Sequence, residues 1–197
     1  MTALVDLGPA AGRLATLVAN VPDGPLDGPT PCPEYRLGDL LDHVRTLAVA
    51  FAAAAGKDTG GIGDRRPRGD ARQLGDDWRD GIPHSLGALA EAWRDPAAWT
   101  GDTRVGGVDL PGEVAGVVAL DELVLHGWDL ARATGQPFDV DPASLAVVHG
   151  FVADFATPER SEQRGGLFGP VVEVADEEPL LDQVLGLSGR DPSWSPA

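Results

Sequence analysis

The chain has 197 residues, of which 43% are hydrophobic, and this length and composition suit the core of one domain. Only 6% of the residues are aromatic, so the core must consist mainly of Ala, Val and Leu. The net charge of −16 is unfavourable for binding the phosphates of nucleic acids or an anionic membrane surface. We therefore expect a small-molecule partner, neither nucleic acid nor membrane, and attribute the charge to solubility.

The cysteine content and the first residues of the chain favour a cytoplasmic protein. Cys32 is the only cysteine, which excludes a disulfide within the chain. The start lacks the basic segment and apolar run of a signal peptide, and no apolar run has the length of a membrane span. We interpret this lone cysteine as a buried small hydrophobic residue, with a redox or nucleophilic thiol as the alternative.

Apolar periodicity predicts two helices in the first third of the chain. The first covers residues 3–20, where apolar side chains recur every three or four positions. Five prolines within residues 21–35 exclude a continuous helix there and indicate an ordered connector. The second helix covers residues 36–56, and the Gly- and Arg-rich segment 57–69 that follows has no periodicity and predicts a mobile loop.

The middle of the chain predicts two more helices. A helical region covers residues 70–95, with a kink or break near Gly81 and Pro83, because proline removes a helix hydrogen bond. The sequence of residues 98–111 predicts a short extended segment. The fourth helix covers residues 111–135, and its opening proline suits the first helical turn.

The C-terminal part predicts a fifth helix over residues 142–156, with Asp141 as its N-cap. An extended piece at residues 171–174 and a short helix at residues 180–187 follow. The predicted fold class is therefore all-α, a four-helix bundle with an additional helix and a short, partly extended C-terminal tail.

The fourth helix carries a carboxylate and an imidazole on one face. Glu122 and His126 lie one turn apart, separated by about 40° around the helix axis. Apolar residues on nearly all sides of this helix predict that it is buried and that Glu122 points into the protein. A buried carboxylate needs a metal ion, a cation or a hydrogen bond, and for these two residues alone a Glu–His hydrogen bond explains the pattern as well as a metal does.

His43 supplies a third donor, because it lies on the second helix at the flank of that helix's core-facing seam. If the two helices face each other, His43, Glu122 and His126 can bind one divalent metal ion. Two His and one Glu with a vacant fourth position are typical of catalytic rather than structural zinc. We therefore expect residues 1–157 to form a metal-binding bundle and residues 158–197 to form a C-terminal extension packed on it.

The remaining candidates are weaker. Asp129 shares the face of Glu122 and is a candidate catalytic residue that orients His126 or acts as a general base. The alternative for Asp129 is a hydrogen-bond acceptor or a surface carboxylate. His149 on the fifth helix is a candidate for burial near the site, whereas His84 is expected to be exposed.

Three segments resemble a known family. TPCPEYRLGDLLDHV (30–44) is similar to the entry of the second helix in the mycothiol-dependent maleylpyruvate isomerase-like family, part of the DinB-like superfamily of metal-binding four-helix bundles. DELVLHGWDLARATGQP (121–137) resembles the same family's second signature. The tail GLFGPVVEVADEEPLLDQVLGLSGRDP (166–192) is similar to the ending of a compact actinobacterial branch.

The resemblance implies that His43, Glu122 and His126 are the ligands of a divalent metal, usually zinc, and that mycothiol is a co-substrate. The isomerase that names the family is expected to have a larger C-terminal domain that handles substrate. The short extension of this chain therefore points away from the specific maleylpyruvate reaction.

Two functions follow as hypotheses. The first is a metal-dependent enzyme, an isomerase or a transferase, that activates a low-molecular-weight thiol toward a small electrophile. The second is a non-catalytic metal- or ligand-binding bundle that acts as a sensor or regulatory partner. A site that has lost its metal is the remaining alternative, and homodimerisation is compatible with either function.

Overall fold

The structure is a computed structural model, and it describes residues 5–58, 60–61, 64, 66–160, 164 and 167–196. These residues form six α-helices, three short 3-10 helices and one two-stranded hairpin. The predicted all-α fold class is confirmed.

Four helices build the bundle: α1 (Gly8–Ala19), α2 (Leu37–Ala55), α3 (Trp78–Ala92) and α4 (Gly112–Thr134). Both α1 and α2 pack against α3 and α4, so α1 lies opposite α2 across the bundle. The predicted first helix begins at Gly8 rather than at residue 3, and residues 1–4 lie outside the described part.

The core is built from aliphatic side chains, as the composition indicates. The predicted apolar positions of α1 and α2 are buried, which confirms the 3.6-residue period as their determinant. The buried positions of these two stripes are Leu7, Ala11, Leu14, Leu17, Leu40, Val44, Leu47 and Phe51.

The connector between α1 and α2 is ordered, as its prolines indicate. The Thr30 hydroxyl donates to the carbonyl oxygen of Tyr35 at 2.7 Å, and Pro29 forms an isolated β-bridge with Arg36. The Asp39 carboxylate accepts the backbone N–H of Arg36 at 3.2 Å at the start of α2. These contacts fix the connector against the first turn of the helix that carries His43.

The third helical region differs from the prediction. A 3-10 turn at Ala71–Gln73 is separated from α3 by residues 74–77, and α3 then continues through Gly81 and Pro83. The predicted break is wrong because the helix is continuous across this proline, where burial of Ile82, Leu86 and Leu89 in the core offsets the one hydrogen bond that proline removes. The loop predicted at residues 57–69 has neither helix nor strand where it is described, and residues 59, 62, 63 and 65 lie outside the described part.

Most of the predicted extended segment at residues 98–111 forms a small β-hairpin. Strands β1 (Asp102–Val105) and β2 (Val108–Pro111) pair antiparallel, whereas Pro96–Trp99 forms a 3-10 turn. The two glycines between the strands have positive φ values of 62° and 82°, which favours glycine there. The Thr103 hydroxyl donates to the carbonyl oxygen of Ala54 at 2.7 Å and so ties the hairpin to the end of α2.

The C-terminal part contains α5 (Pro142–Phe155) and α6 (Leu180–Ser188), which pack against each other. Asp141 is the N-cap of α5, as predicted, and its carboxylate accepts the backbone N–H of Ser144 at 2.9 Å. The extended piece predicted at residues 171–174 is irregular rather than a strand. None of the helices that the structure describes is long and apolar enough to cross a membrane.

Two glycines offer a test of how closely the bundle is packed. A Cβ at Gly116 of α4 would lie 2.5 Å from the ring of Trp99 and 2.9 Å from that of Trp93. At Gly150 on α5 a Cβ would meet no atom within 4 Å. Gly116→Ala is therefore expected to lower the free energy of unfolding by about 1–3 kcal/mol, because overpacking forces the rings to move.

Gly150→Ala is the matched control and is expected to raise the free energy of unfolding by about 0.5–1 kcal/mol through helix propensity. Urea denaturation of both variants beside the parent chain measures these changes. Equal stability of the two alanine variants would contradict the packing described for Gly116.

Candidate metal centre

The structure brings the three predicted ligands together. His43 comes from α2, whereas Glu122 and His126 come from adjacent turns of α4, and one donor atom of each lies within 4.8 Å of the other two. The Nε2 atom of His126 lies 3.0 Å from Glu122 Oε2, and the Nε2 atom of His43 lies 3.7 Å from the same oxygen. Among the described residues this is the one group of His, Cys, Asp and Glu with such spacing.

Each side chain reaches the group because of its place on its helix. α2 and α4 pack side by side, and both imidazoles are buried. The Glu122 side chain is 29% exposed, so the carboxylate lies at the edge of the buried region rather than deep within the bundle. An ion held here would therefore be reached from solvent past one carboxylate.

The charges of the group are mutually stabilised. Burial acts to raise the pKa of Glu122, but hydrogen bonds with His126 and His43 lower it below its ordinary value. Burial acts to lower the pKa of His126, but hydrogen bonds with Asp129 and Glu122 raise it to about 9. In the metal-free protein at neutral pH, a protonated His126 thus lies between two ionised carboxylates.

Asp129 lies behind His126 and is fully buried. Its Oδ2 lies 2.9 Å from Nδ1 of His126, and Arg190 donates to both carboxylate oxygens, at 2.8 Å and 2.7 Å. The alternative of a surface carboxylate is therefore wrong. Burial acts to raise the pKa of Asp129, but the charge and hydrogen bonds of Arg190 lower it, so this carboxylate is a poor general base and a good acceptor for an imidazole N–H.

Three residues near the site were missed at the level of sequence. Arg190 follows α6 and reaches Asp129 across 61 residues of chain. The ring of Tyr35 lies with its centroid 4.8 Å from that of His43. Asp121 is 4% exposed, its Oδ1 has no hydrogen-bond partner among the described residues, and burial and the charge of Glu122 raise its pKa well above the ordinary value. Arg190 lies in a matched tail segment, but nothing in its spacing indicated Asp129 as partner.

Cys32 differs from its prediction, because the side chain is half-buried rather than buried. Burial, and then the negative charge of Asp129, raise the pKa of its thiol to about 11, so the thiol is protonated at neutral pH. His84 is exposed, as expected, and His149 is half-buried on α5. Neither Cys32 nor His149 belongs to the donor group found among the described residues.

Comparison with known proteins identifies the family of this chain. The family described as the mycothiol maleylpyruvate isomerase N-terminal domain matches residues 7–131. The chain belongs to this family. Two uncharacterized proteins of Mycobacterium tuberculosis, from strains CDC 1551 / Oshkosh and ATCC 25618 / H37Rv, are each 28% identical over 181 residues, which is 92% of this chain and 93% of theirs.

The fold is that of a solved structure. A crystal structure of the mycothiol-dependent maleylpyruvate isomerase superposes with a TM-score of 0.66 at 18% identity, covering 96% of this chain and 89% of that chain. A histidine-to-alanine variant of the isomerase superposes with a TM-score of 0.64, also at 18% identity, covering 95% and 88%. The bundle therefore has the DinB-like fold.

The Asp129–Arg190 pair gives a stability prediction. Arg190→Met leaves a fully buried carboxylate without its cation, which is expected to cost about 3–5 kcal/mol of unfolding free energy at neutral pH. Because Arg190 depresses the pKa of Asp129, its contribution is present above the unfolded-state value near 3.9 and is lost as the pH falls below it. The difference in unfolding free energy between the parent chain and Arg190→Met is therefore expected to decrease at acidic pH.

Denaturant titrations at neutral and acidic pH measure this difference. Arg94→Met is the matched control, because Arg94 pairs with Glu91 at the surface, where the two side chains are 63% and 72% exposed. It should change stability little. An Arg190→Met variant as stable as the control would contradict the pairing.

The raised pKa of His126 gives a pH prediction. Below about pH 9 a proton occupies the imidazole and must leave before a metal ion can bind there. Zinc affinity is therefore expected to rise roughly tenfold per pH unit on approaching that value and to level off above it. Calorimetry in buffers of different ionisation enthalpy measures both the affinity and the protons released. The exposed His84→Ala variant should keep the same slope, and a flat profile in the parent chain would contradict the prediction.

Proposed function

We propose that this protein is a divalent-metal-dependent enzyme that activates a low-molecular-weight thiol of the mycothiol type for isomerisation or S-transfer on a small electrophilic substrate. The observation that carries the proposal is the convergence of His43, Glu122 and His126 within 4.8 Å, with His126 backed by a buried carboxylate. Membership of the family supports mycothiol as the type of co-substrate, because both the family and the solved isomerase are named after this thiol.

The donor set fits a metal ion. Two imidazole nitrogens and one carboxylate oxygen suit zinc, and catalytic zinc sites take three ligands from the protein. Metal-binding histidines usually donate their second N–H to a carboxylate or another acceptor, and Asp129 is such an acceptor for His126. Other divalent ions of similar preference also suit these donors, so zinc is the proposed ion rather than the required one.

When bound, such an ion lowers the pKa of a coordinated thiol and stabilises the thiolate at neutral pH. The residues of the chain have separate roles. The ion would be held by His43, Glu122 and His126. Asp129 accepts the Nδ1–H of His126 and so orients that ring, and Arg190 keeps Asp129 ionised.

The state of Cys32 supports an external thiol as the nucleophile. Its raised pKa of about 11 leaves the thiol protonated at neutral pH, and it is the only cysteine in the chain. A protonated thiol is a poor nucleophile. Thiol chemistry at this site therefore requires a thiol that the protein does not itself contain.

The reaction class follows from thiolate chemistry. In an isomerisation the thiolate adds to a conjugated carbon–carbon double bond, rotation about the resulting single bond follows, and expulsion of the thiolate restores the double bond. In a transfer the new carbon–sulfur bond persists in the product: a conjugated electrophile takes up on carbon the proton that the thiol gave up, whereas a halogenated electrophile loses halide. Neither course needs an oxidant or reductant. The solved isomerase is 18% identical to this chain, and a similarity at this level supports the fold but not the substrate. The substrate is therefore proposed by class only.

The experiment mixes purified protein, zinc and mycothiol with a panel of conjugated and halogenated electrophiles. Thiol consumption and double-bond isomerisation are followed separately. The parent chain is expected to act on members of the panel. The activity of His126→Ala is expected to fall at least about 100-fold, because removing a metal ligand costs more than removing a residue that only supports a ligand. His84→Ala is the matched control, since His84 is exposed, and it should retain full activity.

No thiol consumption and no isomerisation across the panel, in protein that contains stoichiometric zinc, would refute the enzymatic proposal. That outcome would favour the alternative of a non-catalytic metal- or ligand-binding bundle. A metal content near zero that added zinc, nickel or iron cannot restore would refute the metal site and the enzymatic proposal, and would leave only the ligand-binding form of the alternative. The cytoplasmic location and the homodimer stay predictions from the sequence, and a reduced thiol co-substrate is compatible with the first.

A further inference from the structure

We infer that Tyr35 is a positioning residue for His43, and that the backbone of residues 69–71 holds it in place. This inference deepens the proposed function and rests on it, because it concerns the orientation of His43 toward a metal ion. His43 has a weaker hydrogen-bond acceptor than His126. The Tyr35 hydroxyl accepts the Nδ1–H of His43 and so leaves Nε2 free to bind.

The geometry places the Tyr35 hydroxyl behind His43. The hydroxyl lies 3.4 Å from Nδ1 of His43, on the opposite side of the ring from the Nε2 atom that faces Glu122. The two rings lie 4.8 Å apart between centroids at 34°, so the phenol also covers one side of the imidazole. A metal-binding Nε2 must carry a lone pair, and the proton then resides on Nδ1, where it needs an acceptor.

A short backbone segment closes over this pair. The N–H of Asp70 donates to the Asp42 carboxylate at 3.0 Å, and that of Ala71 donates to the Asp39 carboxylate at 2.8 Å. The N–H of Gly69 is directed to the Tyr35 hydroxyl. Two successive backbone hydrogen bonds therefore attach residues 70–71 to carboxylates on the helix of His43, and the N–H of Gly69 faces the connector before that helix.

Gly69 is the position that permits this approach. A Cβ at residue 69 would lie 1.9 Å from the carbonyl oxygen of Asp39 and 3.1 Å from the Cβ of His43. Such contacts are impossible, so any side chain at this position must displace the segment from α2. Glycine is needed here for lack of space rather than for its backbone conformation.

The two histidines are therefore backed by different chemistry. His126 has a buried ionised carboxylate, itself paired with Arg190, whereas His43 has a neutral phenol whose oxygen also receives a backbone donor. A charged acceptor makes a stronger hydrogen bond than a neutral one. His43 is thus the ligand whose orientation depends on packing around it, and the segment 69–71 supplies that packing.

The test compares zinc affinity in four proteins, using a chromophoric chelator as competitor. Tyr35→Phe keeps the ring over His43 and removes only the hydroxyl, and it is expected to weaken zinc binding about 10- to 100-fold. Gly69→Ala is expected to weaken it by a similar factor. Gly60→Ala is the matched control in the same loop, because a Cβ there meets one atom, at an ordinary 3.5 Å, and its affinity should equal that of the parent chain.

Because both variants act on the same hydrogen bond, Tyr35→Phe combined with Gly69→Ala should lose much less than the sum of the single losses. If Gly69→Ala fails to fold, Tyr35→Phe alone decides the point. Zinc binding by Tyr35→Phe as tight as in the parent chain and the Gly60→Ala control would overturn the positioning role and leave the metal site intact.

A second measurement separates this inference from the proposed function. In the metal-free protein, the Nδ1 resonance of His43 in a ¹⁵N-labelled sample should shift in Tyr35→Phe and in Gly69→Ala but not in Gly60→Ala. Tyr35 is the only tyrosine in the chain, so the single ring signal of a ¹³C-tyrosine sample should move in Gly69→Ala as well. A parent chain that binds no zinc would refute the proposed function, and unchanged His43 and Tyr35 signals would refute the positioning role whether or not zinc binds.

Discussion

A carboxylate at the edge of an apolar bundle must be compensated, and the arrangement around Glu122 follows from that constraint. Its partners are His43 and His126, which turn toward one oxygen of the carboxylate. His126 in turn requires an acceptor for its second nitrogen, which is Asp129. Asp129 is fully buried and requires a cation, which is Arg190. Charges thus alternate from α4 to the end of α6, and each buried group satisfies the next.

This alternation links the tail of the chain to the bundle. Arg190 contributes a bidentate ion pair, and Arg132 of α4 donates to the carbonyl oxygen of Trp194 at 3.0 Å. Breaking one member of a buried pair is costly, since the other charge remains without a partner. The C-terminal segment is therefore part of the support of the site, even though residues after 131 lie outside the family match.

The rest of the bundle holds α2 and α4 in place with few large side chains. Trp93 donates its indole N–H to the carbonyl oxygen of Phe51 on α2, and Trp99 donates to the carbonyl oxygen of Trp93. Both rings press against α4 at Gly116, where no side chain intervenes. Two aromatic residues thus fix the separation of the helices that carry the donors, in a core that is otherwise mostly aliphatic.

The sequence by itself determined the helices and the donor set. Apolar periodicity located α1 and α2, because burial of one helix face leaves a local repeat. The N-terminal prolines of α4 and α5 and the N-cap Asp141 located these two helices. The one-turn spacing of Glu122 and His126 placed them on one face, and the position of His43 at the flank of the core-facing seam of α2 supplied a third donor, a set that the family resemblance also implies. Only the tertiary structure decided what stands behind these residues. Arg190, Tyr35 and Gly69 meet the site through contacts that no local repeat records, since each depends on how distant segments pack.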